Sequence, residues 1–87
     1  MDNKTNFNNL PLVASFGSTT ERASGTTRIA ISRDAEGWNV SSKDNSLANA
    51  TGYSVWESGI WSQDDAVICA NELLLRLQRR EDYRKAS

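Results

Sequence analysis

The stretch TTRIAISRDAEGWNVSS, residues 26–42, decides the fold because two runs of alternating apolar and polar side chains surround a charged turn. Alternation with a period of two is typical of strands that bury one face. The turn ends at Gly37, a residue type that tolerates a positive φ, and this favours an antiparallel hairpin. The side chains predicted on the buried face are Thr27, Ile29, Ile31, Trp38 and Val40.

C-terminal to this hairpin, the chain passes through a loop into another strand. Residues 43–52 are polar and rich in asparagine, and Leu47 is the large apolar side chain among them. Residues 53–61 alternate again, which predicts a third strand. Gly59 interrupts the alternation and indicates a β-bulge.

Residues 62–82 carry the signals of a single long helix. Ser62 is a favourable N-cap, and Asp64 and Asp65 place negative charge at the positive end of the helix dipole. At roughly 100° per residue, one broad stripe of this helix is apolar and is expected to pack on the sheet. The stripe consists of Ala66, Val67, Ala70, Leu73, Leu74 and Leu77.

Residues 1–25 are predicted to form a flexible N-terminal arm. Positions 2–9 are nearly all polar, and positions 17–25 (GSTTERASG) have the composition of a linker. Between them, residues 10–16 form a short apolar segment with Pro11, which disfavours a central strand. We expect this segment to be an edge strand that covers the core, or a docking peptide for a partner's sheet.

These elements place the chain in the α+β class. The expected architecture is a three- or four-stranded antiparallel sheet covered on one face by a single long C-terminal helix, with the flexible arm in front. The corresponding domain division is an arm over residues 1–25 and a small β-β-β-α domain over residues 26–87. A chain of 87 residues buries only about 60% of its unfolded surface, so its margin of stability is expected to be thin.

Composition excludes several classes of function. Ten basic residues nearly balance eleven acidic ones, and the net charge of −1 argues against a basic nucleic-acid coat and against an acidic DNA mimic. Without histidine and with a single cysteine, the chain cannot form disulfide frameworks, zinc fingers or histidine-based triads. The polar N-terminus and the short apolar runs predict a cytoplasmic protein that has no contact with a membrane.

The sequence offers no clear catalytic site. Cys69 has no histidine to act as its base and is interpreted as a small buried thiol at the margin of the apolar stripe. Turn polarity, helix capping and a solvated helix end account for the paired carboxylates, which are Asp34/Glu36, Asp64/Asp65 and Glu81/Asp82. We therefore predict no catalytic residue, no cofactor and no metal, and a protein that is not an enzyme.

The C-terminal end of the predicted helix is basic, since five of the ten Lys and Arg residues lie between Arg76 and Lys85. Arg76, Arg79 and Arg80 fall on the side away from the apolar stripe. Tyr83 projects close to them, and guanidinium groups beside an aromatic ring can hold phosphates or stack on a base. Three interpretations stay open: a solvated helix end, a nucleic-acid surface and a surface for an acidic protein.

Large apolar side chains also fall outside the predicted core. Ile68 and Leu75 are seven residues apart, so they share one line of the helix outside the apolar stripe. They are expected to meet the N-terminal segment, a second copy of the chain or a foreign partner. At least one of Trp56 and Trp61 is expected at the surface, where tryptophan often dominates binding; aromatic filling of the core is the alternative.

From Ile29 to Leu77, the order of elements resembles the HicB-type antitoxin module. The residues that carry the resemblance are the turn Asp34-Ala35-Glu36-Gly37-Trp38 and the helix start Ser62-Gln63-Asp64-Asp65-Ala66, continued by Ala70 and Leu74. The proline-rich segment that usually marks that family is absent, and residues 43–52 stand in its place. The same order resembles small phage-encoded inhibitors, including some anti-CRISPR proteins. Both resemblances imply a non-catalytic protein that occupies a larger partner.

The sequence therefore predicts a small protein-binding module, of anti-defence or antitoxin type, that inhibits or regulates a larger protein or nucleoprotein complex. A homodimer is a further open interpretation. The alternative function is direct nucleic-acid binding through Arg76, Arg79, Arg80 and Lys85. The predicted partner-binding residues are Trp56, Trp61, Ile68, Leu75, Arg76, Arg79, Arg80 and Tyr83.

Overall fold

The structure, a computed structural model, describes residues 6–44 and 52–86, with side chains for residues 6–43 and 52–79. It confirms the α+β class, because one antiparallel sheet and one C-terminal helix make up the fold. The strands lie in the sheet in chain order, β1-β2-β3-β4-β5. The elements are β1 (Leu12–Phe16), β2 (Thr19–Ser24), β3 (Thr27–Asp34), β4 (Gly37–Asp44), β5 (Ser54–Ile60) and α1 (Gln63–Ala86), with a 3-10 turn at Phe7–Asn9.

The described residues form a sheet of five strands, so the predicted count of three or four is wrong. Positions 17–25 are not a linker, since Thr19–Ser24 is β2 and pairs with both β1 and β3. Two-residue turns that begin with Gly17 (φ 55°) and Gly25 (φ 62°) join these strands. A glycine at the first turn position suits the type II′ turn, whose twist matches that of a hairpin. The apolar segment 10–16 contains β1, an edge strand.

The central hairpin forms as predicted, with β3 and β4 paired from Asp34↔Gly37 outward. Its inward side chains Ile29, Ile31 and Val40 are buried. Gly37 has φ 130°, and a Cβ placed there would lie 2.8 Å from the carbonyl oxygen of Ile60. The glycine is therefore required both by its backbone conformation and by the close approach of β5.

The core lies between the sheet and α1. The helix packs against β3, β4, β5 and the 3-10 turn, so a sheet face covered by the helix alone is not confirmed. The predicted helix stripe does form the helical part of the core, with Val67 and Leu77 at its margin. The buried apolar residues are Phe7, Leu10, Ile29, Ile31, Val40, Ile60, Ala66, Ala70, Leu73 and Leu74.

The segment before β1 supplies part of this core, although composition placed it in a flexible arm. Phe7 is only 2% exposed, and its backbone N–H donates to Asn71 Oδ1 of the helix at 2.7 Å. From β2, Arg22 places its guanidinium 5.5 Å from the centre of the Phe7 ring. The same guanidinium donates to the carbonyl oxygen of Leu10 at 2.9 Å. These contacts fasten the segment to the sheet and the helix.

The helix starts where the sequence predicts. The hydroxyl oxygen of Ser62 accepts from the backbone N–H of Asp65 at 3.2 Å, as expected of an N-cap. The helix ends at Ala86, a turn beyond the predicted end. In the described part of the chain, no helix has the length and apolar character that a bilayer crossing needs. Leu47, the large apolar side chain of the predicted loop, lies outside the described residues.

Candidate binding surface

Trp56 and Arg76 are brought together by the return of α1 along β5. Trp56 is half-buried and packs against the core, and the Arg76 guanidinium lies 5.0 Å from the centre of its ring. A cation at this distance over an indole is attracted by the ring's quadrupole. Arg76 is also exposed to solvent. The pair joins the edge strand to the helix and exposes a fixed positive charge beside an aromatic ring.

Trp61 lies at the junction between β5 and α1 and is 93% exposed. It directly precedes the N-cap, a position from which an apolar side chain often packs back onto the helix. Here the indole does not do so. Trp38 and Trp56, by contrast, both pack against the core. Among the described aromatic residues, Trp61 is thus the one whose surface is most available to a partner.

Ile68 and Leu75 lie on the side of α1 that faces away from the sheet, and they are 55% and 43% exposed. The N-terminal segment that could have covered them instead pairs as β1 with β2. Asp64 and Arg79 lie on the same side of the helix and are also exposed. We call these four residues the outer helix face.

The eight predicted partner-binding residues do not form one cluster. Trp56 and Arg76 are in contact, Trp61 stands at the far end of β5, and the outer helix face holds Ile68, Leu75 and Arg79. Arg80 and Tyr83 belong to α1, but their side chains lie outside the described part of the chain.

A polar cluster on the sheet was missed by sequence reasoning. Tyr53 donates a hydrogen bond to Glu21 Oε1, and Arg28 lies 3.8 Å from the same oxygen. Burial raises the pKa of Tyr53, and the hydrogen bond and negative charge of Glu21 raise it further. The alternation in β3 places Arg28 on the face opposite Ile29 and Ile31. Glu21 could not be placed, because its strand was interpreted as a linker.

The thiol of Cys69 is in a poor environment for nucleophilic chemistry. Burial raises its pKa, and the negative charges of Glu57, Glu72 and Asp65 raise it further. The thiol therefore stays protonated at neutral pH, the less reactive state. Among the described residues, no three His, Cys, Asp or Glu side chains are grouped so that they could hold a metal ion.

Comparison of the chain with protein-family models, with curated proteins and with solved structures finds no match. The fold and the chemistry of its surface are thus the grounds on which a function can be assigned.

Proposed function

We propose that this protein is a non-catalytic binding module that inhibits or regulates a larger macromolecular complex by occupying one of its surfaces. The observation that carries the proposal is the 93% exposure of Trp61. A tryptophan in water forgoes the large apolar burial that its ring offers, and tryptophan is enriched among the residues that dominate binding energy. We give the name tryptophan surface to Trp61 together with the Trp56–Arg76 pair, which are two separate patches along β5.

Strand β5 extends this surface with backbone groups. Among the described residues it is an edge strand of the sheet, and the outer side of its backbone would then accept an added strand from a partner. Val55 is exposed on the strand, and the positive φ of Gly59 (66°) marks a bulge near its end. A partner strand would therefore pair with the part before Gly59 and meet the Trp61 ring beyond it.

The cation–π contact supports a role for Arg76 in the same surface. Its guanidinium is already held over Trp56, so less conformational entropy is lost when a partner binds it. Arginine held beside aromatic rings favours planar acidic groups, which it can bind through two parallel hydrogen bonds. The tryptophan surface thus suits a protein partner that combines an apolar pocket with a carboxylate.

Affinity capture from the cells in which the chain is naturally expressed tests the proposal. The tagged wild-type protein is compared with Trp61→Ser and with Phe16→Ser. Phe16 is a matched control because it is exposed on β1, at the opposite edge of the sheet. The expected result is a partner retained by wild type and Phe16→Ser and lost by Trp61→Ser, with equal melting temperatures for all three. Retention by all three proteins would overturn the proposal.

The same capture experiment distinguishes the proposed protein partner from nucleic acid bound through the basic helix end. Binding to phosphates falls steeply with added salt because counterions are released. A nucleic-acid partner would be lost after nuclease treatment, at high salt and in the Arg79→Glu variant, and it would be retained by Trp61→Ser. This result would replace the proposed protein partner with nucleic acid.

A further inference from the structure

The outer helix face has a symmetric arrangement of charge and apolar groups. Asp64 lies four residues before Ile68, and Arg79 lies four residues after Leu75. Suppose that two copies of this helix pack antiparallel, with Ile68 against Leu75 of the second copy. Asp64 then lies opposite Arg79 of the second copy, because both pairs are centred on the same point of the helix. The two-fold relation repeats both contacts, so each dimer gains two apolar pairs and two ion pairs.

We propose that the outer helix face is an interface for a second copy of this chain, packed antiparallel about a point between Ile68 and Leu75. The inference goes beyond the proposed function, because it uses a different surface from the tryptophan surface. It makes the functional unit a dimer that presents two tryptophan surfaces.

The position of the four side chains allows this approach. At roughly 100° per residue they fall within an arc of about 60°, on the side opposite the stripe that packs on the sheet. All four are exposed, so a second helix can approach without disturbing the core. Two helices in contact lie about 8–10 Å apart, and the apolar side chains then meet directly.

Asn71 and Glu72 flank the centre of this interface: Asn71 Oδ1 accepts the backbone N–H of Phe7, and Glu72 is exposed. In the antiparallel arrangement it approaches Glu72 of the second copy, and each is four residues from an Arg76 of its own chain. Like charges near the centre and only two large apolar side chains per copy predict a modest affinity. We therefore expect a reversible dimer whose population depends on concentration.

The charged pairs permit a sharp test by exchange of charge. Asp64 and Arg79 of one chain are separated by fifteen residues, or about 22 Å along the helix, so they cannot pair within a chain. Asp64→Arg places two arginines opposite each other in the dimer, and Arg79→Asp places two aspartates there. Each single variant should raise the dimer dissociation constant roughly tenfold or more. The variant with both changes restores opposite charges and should recover the wild-type value.

Sedimentation and light scattering of the full chain over a range of concentrations measure the effect. Circular dichroism confirms that each variant is folded, and Ile68→Asp tests the apolar contact separately. Loss of the dimer in each single variant and its recovery in the double variant support the proposal. Any of three results would overturn the proposal. The wild-type protein could be monomeric at every concentration, the dimer could persist in Ile68→Asp or in the single charge variants, or the folded double variant could remain monomeric.

The variant Trp61→Ser separates this inference from the proposed function. In the same assay it should leave the dimer in place, because Trp61 is not among the paired side chains of the dimer, which are Asp64, Ile68, Leu75 and Arg79. If the wild-type chain is monomeric but Trp61→Ser still loses the partner, the dimer proposal fails and the proposed function stands. If the dimer forms but Trp61→Ser retains the partner, the proposed function fails and the dimer proposal stands.

Discussion

Replacement of Phe7 by alanine tests whether the segment before β1 is a structural part of the domain. The ring is 2% exposed within the core, and the Arg22 guanidinium lies over it. Removing a buried phenylalanine side chain costs about 3–5 kcal/mol, and this includes the cavity that remains. The cation–π contact, worth about 0.5–1 kcal/mol, is lost with it. Because the backbone before β1 can relax, we expect the lower end, a loss of about 3 kcal/mol.

Urea denaturation followed by circular dichroism measures this loss. In a domain of this size, 1 kcal/mol corresponds to about 4–8 °C in Tm, so thermal unfolding should shift by roughly 12–24 °C. Phe16→Ala is the matched control, because it removes the same atoms from an exposed side chain and should change the free energy of unfolding by about 0.5 kcal/mol. If Phe7→Ala fails to fold, Phe7→Leu keeps most of the volume and should cost about 1 kcal/mol.

A loss below about 1 kcal/mol for Phe7→Ala, or a loss equal to that of Phe16→Ala, would refute the reasoning. The segment would then be a detachable arm, as its composition suggests.

Three further predictions concern the backbone, a tyrosine and the thiol. Gly37→Ala should cost about 2 kcal/mol or more in urea unfolding, because of its φ and the Ile60 carbonyl, and Gly25→Ala should cost less because open space surrounds it. The raised pKa of Tyr53 contributes stability that is fully present below the unfolded pKa near 10.0 and is lost as pH rises above that value. In urea unfolding at alkaline pH, the free energy of unfolding should therefore fall less steeply with pH for Tyr53→Phe than for the wild type. Cys69 should react with iodoacetamide at neutral pH more slowly in the folded protein than in urea, and equal rates would contradict its raised thiol pKa.

The central hairpin and the helix could be predicted from sequence because their apolar residues repeat with the period of the element. Ile29, Ile31 and Val40 are buried as the alternation requires, and Ser62 caps the helix. Strand β2 could not be predicted in this way. All its residues are half-buried, and none is a large apolar side chain, so its sequence carries no hydrophobic period. Its place is determined by pairing with both neighbours and by turns that start with glycine.

The binding surface was predictable to a similar, limited extent. Helix geometry alone places Ile68 and Leu75 outside the core, and both are exposed. The contact between Trp56 and Arg76 could not be foreseen, because it depends on the irregular register of β5 against β4. The sequence left open which tryptophan lies at the surface, and the exposed one is Trp61.

The proposed protein-binding function is tested most directly by photo-crosslinking from position 61 in source cells. A benzophenone amino acid replaces Trp61 in one variant and Phe16, at the opposite edge of the sheet, in the other. The expected result is a discrete crosslinked protein from position 61 that does not form from position 16. No crosslinked protein from position 61, or the same products from both positions, would contradict the proposal that the tryptophan surface contacts a larger partner.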